Sequence, residues 1–355
     1  MYRWARPALF RLGAETAHDW TMAAAGFASR MDWACALAKR VFQESLPPSV
    51  ATECLGLRFP TPVGLAAGLD KDGEAIDFWA ALGFGFLEVG TVTPGTGQPG
   101  NLAPRLARFP QQAALLNRMG FNNRGAPALA ARLAMRRTKI PVGANIGMAK
   151  ATPLELAAQD YRSAAAAVGP VADFLTINVS SPNTPGLRRL QAVEHLHPIL
   201  DAVRSAAPER PILLKLSPDL EDSELDALAE WALAESVSGL IATNTTRRTD
   251  LLTAGVPFEG GVSGSPLRSR AEAVVRRLYR VLRGRVPIVG VGGIDSGPAA
   301  YARIRAGAAL VQIYTGFVYG GPAIVNEITQ HLARCLDRDG FRTLEAAVGA
   351  DERHT

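Results

Sequence analysis

The sequence predicts an α/β protein built as a (β/α)8 barrel with a small helical domain ahead of it. Three observations carry this. Eight short apolar runs alternate with segments of helical composition from Thr52 onward, and eight such units within about 270 residues match a closed eight-stranded barrel. Several runs end in polar residues at matching points, which closure would gather on the carboxyl-terminal rim where such barrels place their sites. Residues 1 to 46 differ in composition, being rich in Trp, Arg and large apolar residues, and are set off by Pro47-Pro48. A doubly wound open sheet is the alternative architecture for the same alternation.

The first 46 residues interleave Trp4, Trp20 and Trp33 with Leu9, Phe10, Leu12, Met22, Phe27, Met31, Leu37 and Phe42, and with the bases Arg3, Arg6, Arg11, Arg30, Lys39 and Arg40. That pattern suits two or three amphipathic helices, lying either in a membrane interface or as a cap on the main domain. Two fixed φ angles at Pro47-Pro48 then end the helical region. The expected strands are Pro62 to Ala66, Phe86 to Val92, Ile140 to Ile146, Phe174 to Val179, Pro211 to Leu216, Gly239 to Thr243, Val286 to Val291 and Leu310 to Tyr314. Helices are expected over Ala75 to Leu82, Pro153 to Val168, Ser223 to Glu235 and Ser269 to Leu282. Thr93 to Gly125 is too long for a simple connector. The polar tail from about Ala346 is expected to fray.

Composition narrows the function. The 355 residues are 48% hydrophobic and 20% charged, as in an ordinary soluble globule, and no apolar run reaches the roughly 18 residues of a spanning helix. A net charge of +5 favours anionic metabolites or phospholipid headgroups as partners. Arginines are scattered rather than massed with aromatics, so nucleic acid is not expected. Cys35, Cys54 and Cys335 are too widely spaced for a CxxC motif and fit a reducing compartment. The five histidines form no HExxH or ligand pair, and no metal site is expected.

The strand ends carry the chemistry. They include Ala66-Ala67-Gly68-Leu69-Asp70-Lys71, Thr91, Asn145, Asn178 with Ser181, Lys215, and Thr243-Asn244. The stretch TINVSSPNTPGLR, from Thr176 to Arg188, runs from a buried strand straight into amides and hydroxyls, and a ring of such ends is hard to explain by turn chemistry alone. Glycine corners at Gly290-Val291-Gly292-Gly293 and Tyr314-Thr315-Gly316 suit a phosphate, because exposed N–H groups and a following helix start favour an anion. No GxGxxG follows the first strand, so a nicotinamide site is not indicated. Of five lysines, Lys215 stands in an apolar strand and needs a partner. Lys215 or Lys71 could stabilise a reduced flavin, and Lys215 could instead form a Schiff base in a lyase or isomerase. Asn117-Arg118-Met119-Gly120-Phe121-Asn122-Asn123 adds amides that can donate and accept, as a pyrimidine-like ring or a sugar requires.

At these residues the chain resembles the class 2, quinone-linked dihydroorotate dehydrogenases. Ten motifs occur in that family's order: FRLGAETAH, GLAAGLDKDGE, EVGTVTP, NRMGFNN, NVSSPNTPGLR, KLSPD, ATNTT, GVSGSPL, GVGGIDS and VQIYTG. The resemblance implies an FMN-binding barrel over residues 47 to 355 and a helical membrane and quinone-access domain over residues 1 to 46. It implies FMN against Ala66, Ala67, Gly68, Leu69, Asp70, Lys71, Thr91, Asn145, Asn178, Lys215 and Thr243, with the phosphate near Gly264, Gly293, Tyr314 and Thr315. Substrate contacts fall on Lys71, Asn117, Arg118, Met119, Gly120, Phe121, Asn178, Asn183, Asn244 and Thr245. Ser181 matches the catalytic base, where class 1 relatives carry cysteine. His18, Arg108 and Tyr314 match positions along a quinone tunnel. The implied reaction takes dihydroorotate to orotate, with a proton leaving ring carbon 5 and a hydride leaving carbon 6 for flavin nitrogen 5. The resemblance further implies a monomer, and the absence of a transit peptide favours the cytoplasmic face of a bacterial inner membrane. Competing readings are a phosphate-binding barrel lyase or isomerase using Lys215, and a non-catalytic barrel at a membrane surface.

Overall fold

The computed structural model describes residues 2–184, 186–253 and 255–353, apart from the side chains of residues 3–5. Trp4, Arg3 and Pro185 therefore lie outside the described side chains. Eight parallel strands close into a barrel: β1 (Val63–Leu65), β2 (Phe86–Val92), β3 (Val142–Ile146), β4 (Phe174–Asn178), β5 (Ile212–Leu216), β6 (Gly239–Ala242), β7 (Ile288–Val291) and β8 (Leu310–Ile313). Each pairs with its sequence neighbour, and β8 closes on β1 through Gln312 opposite Gly64. Closure excludes the open sheet. All eight strands fall within the stretches expected from sequence, shortened by a residue or two at some ends.

Period-two alternation sorts the barrel interior into two layers. Phe86, Phe174, Leu213, Ile241, Val289 and Leu310 form an apolar floor with Phe59. Two residues further along their strands stand Glu88, Thr176, Lys215, Thr243, Val291 and Gln312. A polar layer thus lies above a greasy plug. A short hairpin, Thr52–Cys54 with Leu57–Phe59, brings Phe59 into that floor.

The excursion from β2 and the chain after β6 build a second, antiparallel sheet from Leu106–Phe109, Ala114–Asn117 and Gly261–Gly264. Neither this sheet nor the hairpin was expected from sequence. Helices α1 (Tyr2–Leu9), α2 (Ala14–Ser29) and α3 (Asp32–Phe42) precede the barrel. The last two pack on the helix Ile76–Ala81, burying Met22, Ala25 and Ala38. The Tyr2 hydroxyl donates to Val318 O at 2.5 Å, and Arg6 donates to Tyr319 O at 3.0 Å. On the outer side Trp20, Phe27, Trp33, Leu37 and Val41 stay exposed, the two indoles at 63% and 67%. No helix among the described residues is long and apolar enough to cross a membrane.

The tail corrects an expectation. Instead of fraying from Ala346, it forms a turn of helix, Leu344–Ala347, and a 3-10 turn, Ala350–Glu352. Glu352 is buried and paired with Arg276 and Arg280 at 2.5 and 2.6 Å. A polar segment stays put when its carboxylates meet fixed guanidinium groups. Only the last two residues lie outside the description.

Candidate active site

The strand ends, the glycine corners and the small sheet enclose one cavity of about 1080 Å³, its open mouth included. At its base the partner that Lys215 requires is Glu88. This carboxylate is 0% exposed. It lies 3.9 Å from Lys215 Nζ and accepts from Asn145 Nδ2 at 2.5 Å and Gln312 Nε2 at 2.6 Å. Four strands thus meet at one buried anion, which removes the cost of an isolated ammonium. Sequence reasoning missed Glu88 and Gln312. The available signal was a single carboxylate in the apolar run FLEVGTV and a lone amide in LVQI.

Above them runs an amide ladder. Thr91 Oγ1 donates to Asn145 Oδ1 at 2.5 Å, and Asn178 Nδ2 reaches both, at 3.0 Å each. Asn178 Oδ1 accepts from the Ser180 hydroxyl at 3.1 Å, and Asn244 Nδ2 donates to Ser180 Oγ at 3.0 Å. Asn183 Nδ2 donates to Asn117 Oδ1 at 3.1 Å, tying the loop after β4 to the small sheet. The Asn183 backbone N–H donates to Ser181 Oγ at 3.2 Å. A donor on that oxygen favours negative charge there. Thr184 is buried, and its hydroxyl finds no hydrogen-bond partner. Arg188 pins the far end of the loop, donating to Ser180 O and Thr245 O and pairing with Asp219 at 2.6 Å.

Charge is uneven around the mouth. Burial pulls the Lys71 ammonium down to about 8, with Asp72 opposing and Arg105 assisting. His18 of α2 is held neutral: burial, then Lys71 and Arg105, push it down to about 3. Tyr314 stays protonated because burial raises it to about 12, and its hydroxyl lies 3.4 Å from Gly68 O.

The cavity wall contains Ala66, Ala67, Gly68, Lys71, Thr91, Asn178, Lys215, Thr243, Gly264, Gly293, Tyr314 and Thr315 of the expected cofactor set. Of the expected substrate set it contains Asn117, Met119, Gly120, Phe121, Asn183, Asn244 and Thr245, and it also contains Ser181. Six expected residues stand apart from this wall, His18 of α2 among them. Leu69 joins the main hydrophobic core. Asp70 is spent on a helix start, accepting from Glu74 N, Ala75 N and Trp79 Nε1 at 2.8, 2.9 and 3.0 Å. Asn145 sits behind the wall, and Arg118 lies over the Phe258 ring at 4.7 Å. Arg108 holds the α1–α2 turn through Leu9 O, Phe10 O and Leu12 O, with its guanidinium 4.6 Å from the Phe10 ring centre. Among the described residues no group of His, Cys, Asp or Glu could hold a metal ion.

Comparisons with known proteins agree with this geometry. The sequence model described as dihydroorotate dehydrogenase matches residues 49–336. A dihydroorotate dehydrogenase (quinone) of Mycobacterium bovis is 50% identical over 99% of both chains, and one from Mycobacterium tuberculosis is 50% identical with the same coverage. The crystal structure of an Eimeria tenella DHODH in complex with ferulenol superposes with a TM-score of 0.86 at 36% identity, over 96% of each chain. With its motifs, barrel and cavity in accord, the chain belongs to the dihydroorotate dehydrogenase family, in its quinone-linked class 2.

Proposed function

We propose that this chain oxidises (S)-dihydroorotate to orotate, the redox step of de novo pyrimidine (UMP) synthesis, and delivers the electrons to a membrane quinone. Dihydroorotate dehydrogenases are flavin-dependent, and FMN is the flavin that these residues fit. The observation carrying the reading is the convergence in one cavity of the Ser181 hydroxyl, four asparagine amides and the cations Lys71 and Lys215. Gln312 Oε1 is buried without a partner, and Gly264, Gly292 and Gly293 keep the wall free of side chains where a phosphate would lie. FMN would be held by Ala66, Ala67, Gly68, Thr91, Asn178, Lys215 and Thr243, with its phosphate at Gly264, Gly293, Tyr314 and Thr315. When bound, it supplies a hydride acceptor and passes two electrons on.

The chain's own residues do the rest. Lys71 holds the substrate carboxylate as a point charge. Asn117, Asn178, Asn183, Asn244 and Thr245 clamp the ring by its imide and carbonyl edges, which fixes the reacting carbon against Ser181. Ser181 takes the proton from ring carbon 5 while the hydride leaves carbon 6, and the onward transfer is assigned to an ordered water or to Thr184, whose buried hydroxyl is unpartnered. Phe121 and Met119 cover the ring and exclude water. Lys215 lies 3.9 Å from the buried Glu88 carboxylate, an arrangement that supports a charge role beside the flavin over a Schiff-base one.

The exposed Trp20, Phe27, Trp33, Leu37 and Val41 support peripheral contact of residues 1 to 46 with phospholipid. The basic flanks and bacterial relatives favour the cytoplasmic face of an inner membrane. His18, Arg108 and Tyr314 are assigned to the quinone path between these helices and the cavity. We assign a monomer, in keeping with the class the chain belongs to.

The test is anaerobic. Dihydroorotate should bleach the flavin of the purified protein, and a quinone should restore its colour where fumarate and NAD do not. Ser181→Ala should slow bleaching by about 10²-fold or more while orotate still binds. A protein purified without flavin, or bleaching of normal speed in the variant, would remove the reading or the role of Ser181 respectively.

A further inference from the structure

Behind the glycine corner after β7 lies a guanidinium that the proposed reaction does not use. Arg303 belongs to the helix Gly297–Arg305, and its side chain passes back under β7. It is 0% exposed. Nη1 donates to Val291 O at 3.3 Å, and Nη2 donates to Gly292 O at 3.0 Å and Arg268 O at 3.2 Å. Nε has no partner. The fit is close enough that a Cβ at position 290 would come within 2.5 Å of Arg303 Cγ.

No carboxylate among the described residues forms a salt bridge with it. Glu272 favours its charge from a distance, but is itself paired with Arg276 at 2.9 Å. Asp295, at the same corner, is taken by Arg268 at 2.6 Å and the Ser265 hydroxyl at 2.9 Å. Burial lowers Arg303 only to about 10, so it remains a cation at neutral pH. A buried charge without a counter-ion is costly, and a site retains one where a ligand supplies the missing charge.

We propose that Arg303 is a positioning residue for the flavin phosphate: its uncompensated charge, behind Val291 and Gly292, draws the dianion to the glycine corner and fixes the corner's carbonyls from beneath. This rests on the FMN reading above. Arg303 never meets solvent or the cavity, so it acts through the main chain and through its field. Its contribution belongs to the phosphate alone and not to the isoalloxazine ring.

Riboflavin, which is FMN without phosphate, separates the two. Full-length protein carrying its flavin is equilibrated with mixtures of FMN and riboflavin, and the bound flavins are quantified. Wild type should prefer FMN strongly, and Arg303→Met should lose about tenfold of that preference, the size expected of one charge acting at partly buried range. Riboflavin affinity should stay within about twofold of wild type by the same reasoning. Arg303→Gln, which keeps donors for the carbonyls but no charge, should also lose most of the preference, though less than Arg303→Met, and Arg303→Lys should retain most of it. Equal losses of FMN and riboflavin, or an unchanged ratio in both neutral variants, would overturn the proposal. So would failure of all three variants to fold, which would give Arg303 to the fold alone. Absence of any FMN preference in wild type would instead count against the phosphate site itself.

Discussion

Two lysines face one cavity under different electrostatic rules, and each rule can be measured. Lys71 is an ammonium weakened by burial to about 8 in the free protein. An anionic ligand favours the protonated form, so binding raises that value. The sign follows: orotate affinity is fully present below pH 8 and falls, at up to about tenfold per pH unit, as pH rises above it. Titrating orotate against the flavin spectrum should show this fall, and Lys71→Met should bind weakly with no such dependence. A flat wild-type profile from neutrality to about pH 9.5 would remove the assignment. Lys215 is the opposite case, a cation whose field is partly cancelled by Glu88. Glu88→Gln keeps the hydrogen-bond geometry toward Asn145 but frees the lysine's charge, so the flavin's midpoint potential should rise by about 30 mV or more. Lys215→Met should lower it. Shifts of the same sign in both variants would mean that packing, not charge, is being read.

At the scale of elements, the barrel strands were legible as apolar runs bounded by turn residues that recur between segments of helical composition. The helix expected over Ser223 to Glu235 is observed over Asp222–Ala234. The hairpin Thr52–Cys54 with Leu57–Phe59 and the strand Gly261–Gly264 were not, because they stand outside the alternating strand–helix units and, in the latter, glycine carries no side-chain signal. The tail was misread for a related reason: its anchors, Arg276 and Arg280, lie far away in sequence. Helices α2 and α3 carry the prediction at this scale. Their inner faces are committed to the helix Ile76–Ala81, while Trp20 and Trp33 point outward. Each indole that enters a lipid interface contributes about 1.5–3 kcal/mol, so Trp20→Ser with Trp33→Ser should weaken binding to anionic vesicles by at least about tenfold. Bleaching by dihydroorotate should be unaffected. Removing residues 1 to 46 should abolish quinone reduction while orotate still binds, and full quinone turnover by that truncation would refute the access role. Undiminished vesicle binding by the double variant would place the membrane contact elsewhere.

At the scale of the whole molecule, the barrel separates what holds the fold from what performs the chemistry. Eight units and their polar ends were enough to read the architecture and most of the cavity wall. The wiring beneath was not readable, since nothing local to Lys215 names Glu88 and nothing local to Gly290 names Arg303. Those pairings exist only once the sheet has closed. The floor shows the complementary case. Phe86 and Phe174 fill the barrel because Gly64 and Gly143 oppose them, and a Cβ at these glycines would come within 2.3 and 2.1 Å of the phenyl rings. Gly143→Ala therefore overpacks the plug and should cost roughly 1–3 kcal/mol, seen as a melting temperature several degrees lower. Because the ring that must give way, Phe174, belongs to the floor beneath the polar layer, KM for dihydroorotate and the flavin potential should stay at wild-type values. A variant as stable as wild type would show that the ring can turn aside. A stable fold with an altered potential would mean that floor and polar layer move together, so that the division between plug and site fails.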